Sequence, residues 1–177
     1  DDTLINTSEF AFINMNKAAK FLNLKQLTKE QFLKQWGHTT EKMVSSHWPD
    51  INLEEFNQTY EKVKYSSHYP AIDGAKEVLD FLKHTHFVLG ILTSRTSDSL
   101  PNRFKQVDIS LDYFKFIQYA DETEIHKPNP EVFKPILEKF NGIGIKSSEI
   151  LYIGDHLYDA KAAIGNNLNF IAVLSGT

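Results

Sequence analysis

From Pro70 onward the chain alternates short apolar runs with amphipathic stretches, and this alternation constrains its fold more than any other feature. AKEVLDFLKHT, after the turn at Pro70, Asp73 and Gly74, has helical periodicity and leads into FVLGILT, an apolar run of strand length. A helix over Leu100–Gln106, a strand in FKFIQY, a helix in EVFKPILEKF, a strand in SSEILYIGD, a helix over Leu157–Ile164 and a strand in NFIAVLSG continue the pattern. Strands that read as continuous apolar runs between helices predict a parallel sheet covered on both faces, an α/β, Rossmann-like architecture.

The stretch from Phe10 to Tyr69 has a different texture. Phe10, Ile13, Met15, Ala18, Phe21 and Leu22 recur at helical spacing, Thr28 with Gln31 forms the pattern of a capping box, and Leu53–Tyr65 reads as a further helix. No strand pattern interrupts it, so residues 10–69 are expected to form an all-helical insert and residues 1–9 and 70–177 the α/β core. With 177 residues, 41% of them hydrophobic and 24% charged, the chain can bury one core plus a small accessory unit. The net charge of −4 carries no basic excess for nucleic acid, and no apolar run reaches membrane-spanning length. The lack of cysteine excludes thiolate chemistry and disulfides. A cytoplasmic setting is the default expectation, and the residues around Asp1 say nothing about targeting.

In parallel sheets, ligands gather at the carboxyl ends of the strands. Those ends here carry Thr93 and Ser94, then the acidic turn Ala120–Glu124 with Lys127 shortly after, then Gly154 and Asp155, with Asp159 one helical turn further on. Asp155 and Asp159 suit a divalent cation, which wants several oxygen ligands, and equally suit a helix cap followed by a solvated carboxylate. Lys127 reads either as a loop lysine before Pro-x-Pro or as a compact positive charge for an anionic substrate. Thr93 and Ser94 have hydroxyls to offer a phosphate, as do many residues that end strands.

The order of these features resembles the haloacid dehalogenase superfamily of hydrolases, of the phosphoglycolate-phosphatase-like kind with a helical cap, and the resemblance covers essentially the whole chain. Asp1-Asp2-Thr3-Leu4 looks like the second half of that family's Asp-x-Asp-x-Thr motif. FVLGIL with Thr93 looks like the second motif, Lys127-Pro128 like the third, and Gly154-Asp155 with Asp159 like the fourth. The resemblance implies Mg²⁺-dependent hydrolysis of a small phosphorylated metabolite through an aspartyl-phosphate. Asp1 would be the general acid and base, Thr93, Ser94 and Lys127 would hold the phosphoryl group, and Asp155, Asp159 and Asp1 would hold Mg²⁺. The helical insert would be the cap, with Trp36-Gly37-His38 resembling a loop that dips into the site; a helix-ending glycine with exposed neighbours reads equally well. By register with Thr3 the nucleophilic Asp would stand two positions before Asp1, so the sequence is expected to be a fragment of a longer chain, with a gap in the sheet where the preceding strand belongs. A phosphomutase shares all these motifs, and a catalytically inactive relative would keep most of them. A receiver-type signalling domain fits less well, because it has no such insert and its lysine follows the last acidic strand. Oligomeric state and substrate identity are not written in the sequence.

Overall fold

The computed structural model describes residues 1–36, 38, 40–65 and 67–176. The chain divides into two compact units, one comprising Asp1 and Asn6–Tyr69, the other Asp2–Ile5 and Pro70–Gly176.

The first unit is helical. It contains α1 (Ser8–Phe21), α2 (Lys29–Leu33), α3 (Thr40–His47) and α4 (Leu53–Tyr65). Helix α1 ends where Asn23 takes a left-handed conformation (φ 54°), which an asparagine tolerates better than most residues. Thr28 then starts α2 with a complete capping box: its hydroxyl accepts from the Gln31 N–H at 3.2 Å, and its own N–H donates to Gln31 Oε1 at 2.9 Å. Asn16 ties this entry to α1, accepting from the Leu27 N–H and donating to the Leu27 carbonyl. Ala11, Met15, Ala18 and Ala19 line one face of α1, where the three alanines leave room for Phe32, Met43, Val44, Trp48, Phe56 and Tyr60.

The second unit alternates helices and strands as expected. In chain order it has α5 (Ala75–Lys83), β1 (Gly90–Leu92), α6 (Ser99–Gln106), β2 (Phe116–Gln118), α7 (Lys134–Asn141), β3 (Leu151–Gly154), α8 (Leu157–Ile164) and β4 (Asn169–Ala172). The strands are shorter than the apolar runs that announce them. Both strand ladders are parallel: β1 pairs with β2 in the register Ile91↔Ile117, and β3 with β4 in the register Ile153↔Ile171. Among the described residues these are two separate two-stranded ladders, not one continuous sheet. Ile5 makes an antiparallel bridge with Ala71, joining the start of the chain to the entry into α5.

Val132, Phe133, Ile136, Phe140, Ala162, Ala163 and Leu168 form the apolar cluster behind β3 and β4. Gly90 is required at its place in β1, since a Cβ there would lie 2.7 Å from the Phe140 ring. Phe140 also meets Phe116 edge-on at 5.1 Å. The outer strand positions are less enclosed than a doubly covered sheet predicts: Leu151, Ile153 and Ile171 remain 49%, 41% and 47% exposed.

Candidate active site

Strand β3 delivers Gly154 and Asp155 to its carboxyl end, and α8 begins two residues later. His156 caps that helix, its ring Nδ1 accepting from the Tyr158 N–H at 3.1 Å. The first turn of α8 then brings Asp159 back over the strand end, with only 7% of its side chain exposed.

Both oxygens of Asp159 are occupied by protein donors. Oδ2 accepts from the backbone N–H groups of Asp155 and His156 at 3.3 and 3.1 Å. Oδ1 accepts from the Lys127 ammonium at 2.6 Å and the Tyr152 hydroxyl at 3.1 Å. Burial alone would raise this carboxyl, but the charge and hydrogen bond of Lys127, with the His156 N–H and the Tyr152 hydroxyl, outweigh it and hold it below its usual 3.8. In this arrangement the Asp159 carboxylate orients Lys127 and the strand–helix turn. Gly154 has a related purpose. A Cβ there would fall 2.7 Å from Asp159 Cβ and Cγ, so the glycine makes room for the aspartate side chain.

Asp155 has the opposite character. Its Oδ1 accepts from the Thr3 hydroxyl at 2.8 Å, and Gly176 packs directly against its carboxylate. Burial is the largest influence and pushes its pKa above 3.8; the Thr3 hydrogen bond offsets part of this, while the like charges of Asp159 and Asp2 add to it. Asp2 is itself 1% exposed and holds a left-handed backbone (φ 45°), its N–H donating to the Ile5 carbonyl and its own carbonyl accepting from Ser175. Thr3, Asp2 and Ser175 thus bind the start and the last turn of the chain to the end of β3.

At the end of β1, the Thr93 N–H donates to the Gln118 carbonyl at 3.1 Å, and its hydroxyl accepts from the Arg95 N–H. That leaves the hydroxyl proton for a ligand. Thr93, Ser94, Gln118, His126 and Lys127 line a crevice of about 10 Å³, the size of one water. The Gln118 amide donates to the Val132 carbonyl at 2.7 Å, anchoring the segment that follows Lys127.

The α/β unit thus gathers Thr93, Ser94, Lys127, Asp155 and Asp159 on its strand ends. Asp1 belongs to the helical unit, where its Oδ1 accepts from the Thr7 hydroxyl at 2.6 Å. His38 is exposed in that unit, and Gly37 lies outside the described residues. Sequence reasoning missed Tyr152, which reads as one more apolar residue of a strand, and Thr3, whose partner is 152 residues away.

No group of three or more His, Asp or Glu side chains is poised around a metal among the described residues. The donors still suit Mg²⁺, which commonly takes one or two carboxylates and fills its shell with substrate phosphate and water. A buried carboxylate with a raised pKa and like-charged neighbours is a group that a cation relieves.

A family model described as haloacid dehalogenase-like hydrolase matches residues 1–173. The chain belongs to this family. Among haloacid dehalogenase-like relatives, a phosphoglycolate phosphatase of Nitrosospira multiformis is 27% identical, over 92% of this chain and 75% of its own. A glyceraldehyde 3-phosphate phosphatase of Pyrococcus abyssi is 25% identical, over 89% of this chain and 71% of its own. A Thermotoga maritima structure provisionally assigned as a beta-phosphoglucomutase superposes with a TM-score of 0.82 at 20% identity, covering 98% of this chain and 82% of that one. At that identity the likeness shows the fold alone, and it is the Rossmann-like α/β fold of haloacid dehalogenase-like hydrolases. No described helix is long and apolar enough to cross a membrane.

Proposed function

We propose that this hydrolase acts on a small phosphomonoester, with Mg²⁺, through an aspartyl-phosphate intermediate. One observation carries the reading: Lys127, its ammonium fixed by Asp159 at 2.6 Å, lines a crevice together with Thr93 and Ser94. A fixed cation beside hydroxyl donors suits a phosphoryl group, whose transfer depends mainly on positioning and charge neutralisation. The names of the relatives, two of them phosphatases of small phosphorylated metabolites, support the same class of substrate.

The attacking carboxylate belongs, by the register of the family motif, to a position two residues before Asp1. Its oxygen forms a bond to phosphorus as the ester oxygen leaves, and Asp1 gives that leaving oxygen a proton. Asp1 then takes a proton from water, whose oxygen attacks phosphorus, releasing phosphate and restoring the first carboxylate. The Thr7 hydroxyl at 2.6 Å holds the Asp1 carboxyl for this exchange. Lys127, Thr93 and Ser94 hold the phosphoryl oxygens through both steps. Asp155, with Asp1, would hold the Mg²⁺, which when bound neutralises charge on the transferring group. The helical residues 10–69 would serve as the substrate-selecting cap that the family resemblance implies. A cytoplasmic setting suits such a substrate.

The test is a screen of phosphomonoesters with and without Mg²⁺ on the full-length protein. Asp155→Asn and Lys127→Ala should each lower kcat/KM by about 100-fold or more, the scale of removing one charge-stabilising group. Turnover unaffected by both substitutions, or no turnover of any phosphomonoester, defeats the proposal; the latter outcome favours a phosphate-binding module.

A further inference from the structure

Lys127 has a second partner besides Asp159. The Tyr152 hydroxyl lies 3.3 Å from Lys127 Nζ and 3.1 Å from Asp159 Oδ1, closing a three-membered ring with the 2.6 Å ion pair. The carboxylate oxygen has no proton to give, so within this ring the phenol donates to Asp159 and accepts from the ammonium. An ammonium has three N–H groups at tetrahedral angles. With one on Asp159 and one on Tyr152, the direction of the third is set.

We infer that Tyr152 is a positioning residue for phosphoryl binding, acting through Lys127 by fixing the rotation of its ammonium so that one N–H remains for the substrate. The inference rests on the phosphomonoester reading above. Asp159 alone would hold one N–H but leave the ammonium free to pivot about that hydrogen bond, swinging Cε and the other two N–H groups, and that freedom would be lost only on binding substrate. The phenol removes it beforehand.

Tyr152 is well braced for the task. It sits in the middle of β3, opposite Phe170 of β4 in the ladder, with the two rings 6.2 Å apart. The Phe133 ring meets it edge-on at 4.8 Å and 89°. Lys127 Nζ stands 6.0 Å from the centre of the tyrosine ring, at the outer limit of a cation–π contact, so the ring adds little attraction and the hydroxyl supplies the direction. Burial and the neighbouring Asp159 charge push the phenol well above its usual 10, keeping it a donor throughout the working pH range. A strand residue kept only for packing would need the ring and not the hydroxyl. Phenylalanine separates the two.

The experiment compares Tyr152→Phe with Lys127→Ala in the full-length enzyme, reading KM for a phosphomonoester, kcat, and the inhibition constant of inorganic phosphate. For Tyr152→Phe, KM and the phosphate inhibition constant should rise together by about 5- to 10-fold, the value of one charge-assisted hydrogen bond's orientation, while kcat changes less than about 3-fold. Both binding constants are independent of how much enzyme is folded, so a lowered melting temperature does not mimic the effect. Unchanged KM and phosphate inhibition in Tyr152→Phe, alongside large rises in Lys127→Ala, would overturn the role of Tyr152 and leave the phosphatase reading standing. If Lys127→Ala also leaves both constants unchanged, the reading of Lys127 fails and the inference fails with it.

Discussion

Asp155 and Asp159 stand four positions apart, yet the fold treats their charges in opposite ways. Asp159 accepts four protein hydrogen bonds and is held below 3.8, so its stabilising contribution is complete above that value and is lost as pH falls through its lower folded pKa. Asp155 is raised above 3.8, chiefly by burial. Below 3.8 it is protonated in both the folded and unfolded chain and favours neither. As pH rises through the interval up to its folded pKa, the unfolded chain ionises first, stability falls, and the cost persists at neutral pH. Asn can still accept from Thr3 while carrying no charge. Asp155→Asn should therefore raise the melting temperature at pH 7 in chelator, and the gain should vanish on acidification below about pH 4. Added Mg²⁺ should raise the melting temperature of the parent protein and not that of Asp155→Asn. Thermal melts across pH, with and without Mg²⁺, check both signs.

At the scale of the element, the turn from β3 into α8 depends on what glycine leaves out. The space a Cβ would fill at Gly154 is taken by Asp159, whose carboxylate organises both the strand end and Lys127. Gly154→Ala should displace Asp159 and cost about 1–3 kcal/mol in stability, the usual range for overpacking. It should also lower kcat/KM, because Lys127 loses its partner. Denaturant titration and steady-state kinetics on the same preparation measure the two effects, and an alanine variant with full activity would show that Asp159 need not stay where it is. The helical unit shows the complementary case, where local chemistry suffices: Thr28 and Gln31 read as a capping box in the sequence and form one in the fold.

For the molecule as a whole, the division into two units has a convenient probe. The chain has two tryptophans, Trp36 and Trp48, and both lie in the helical unit. Their fluorescence reports that unit alone, while far-ultraviolet circular dichroism reports both. Phe32 is fully buried there, 5.1 Å from the Trp36 ring. Phe32→Ala should destabilise the helical unit by about 3–4 kcal/mol, so that the fluorescence transition moves to lower denaturant and precedes the dichroism transition. Transitions that shift together would mean that the two units unfold as one.

The order of helices and strands from Pro70 onward, the helical stretch Leu53–Tyr65, the capping box at Thr28 and the placing of Thr93 and Asp155 just past apolar runs were all legible in the sequence. Each depends on periodicity or on partners within about a turn of the chain, which short-range backbone geometry dictates. The division of labour at the strand ends was not legible. The sequence offers Asp159 as a metal ligand or a solvated carboxylate, and gives no sign of Lys127, 32 residues away, on its oxygen. Tyr152 looks like a strand residue until its hydroxyl is seen to close that pair, and Thr3 gives no local sign that it bonds Asp155. The pairing of the strands into two parallel ladders is likewise a long-range outcome. A carboxylate's role is set by which donors reach it and how deeply it is buried, and only the tertiary structure brings those donors together.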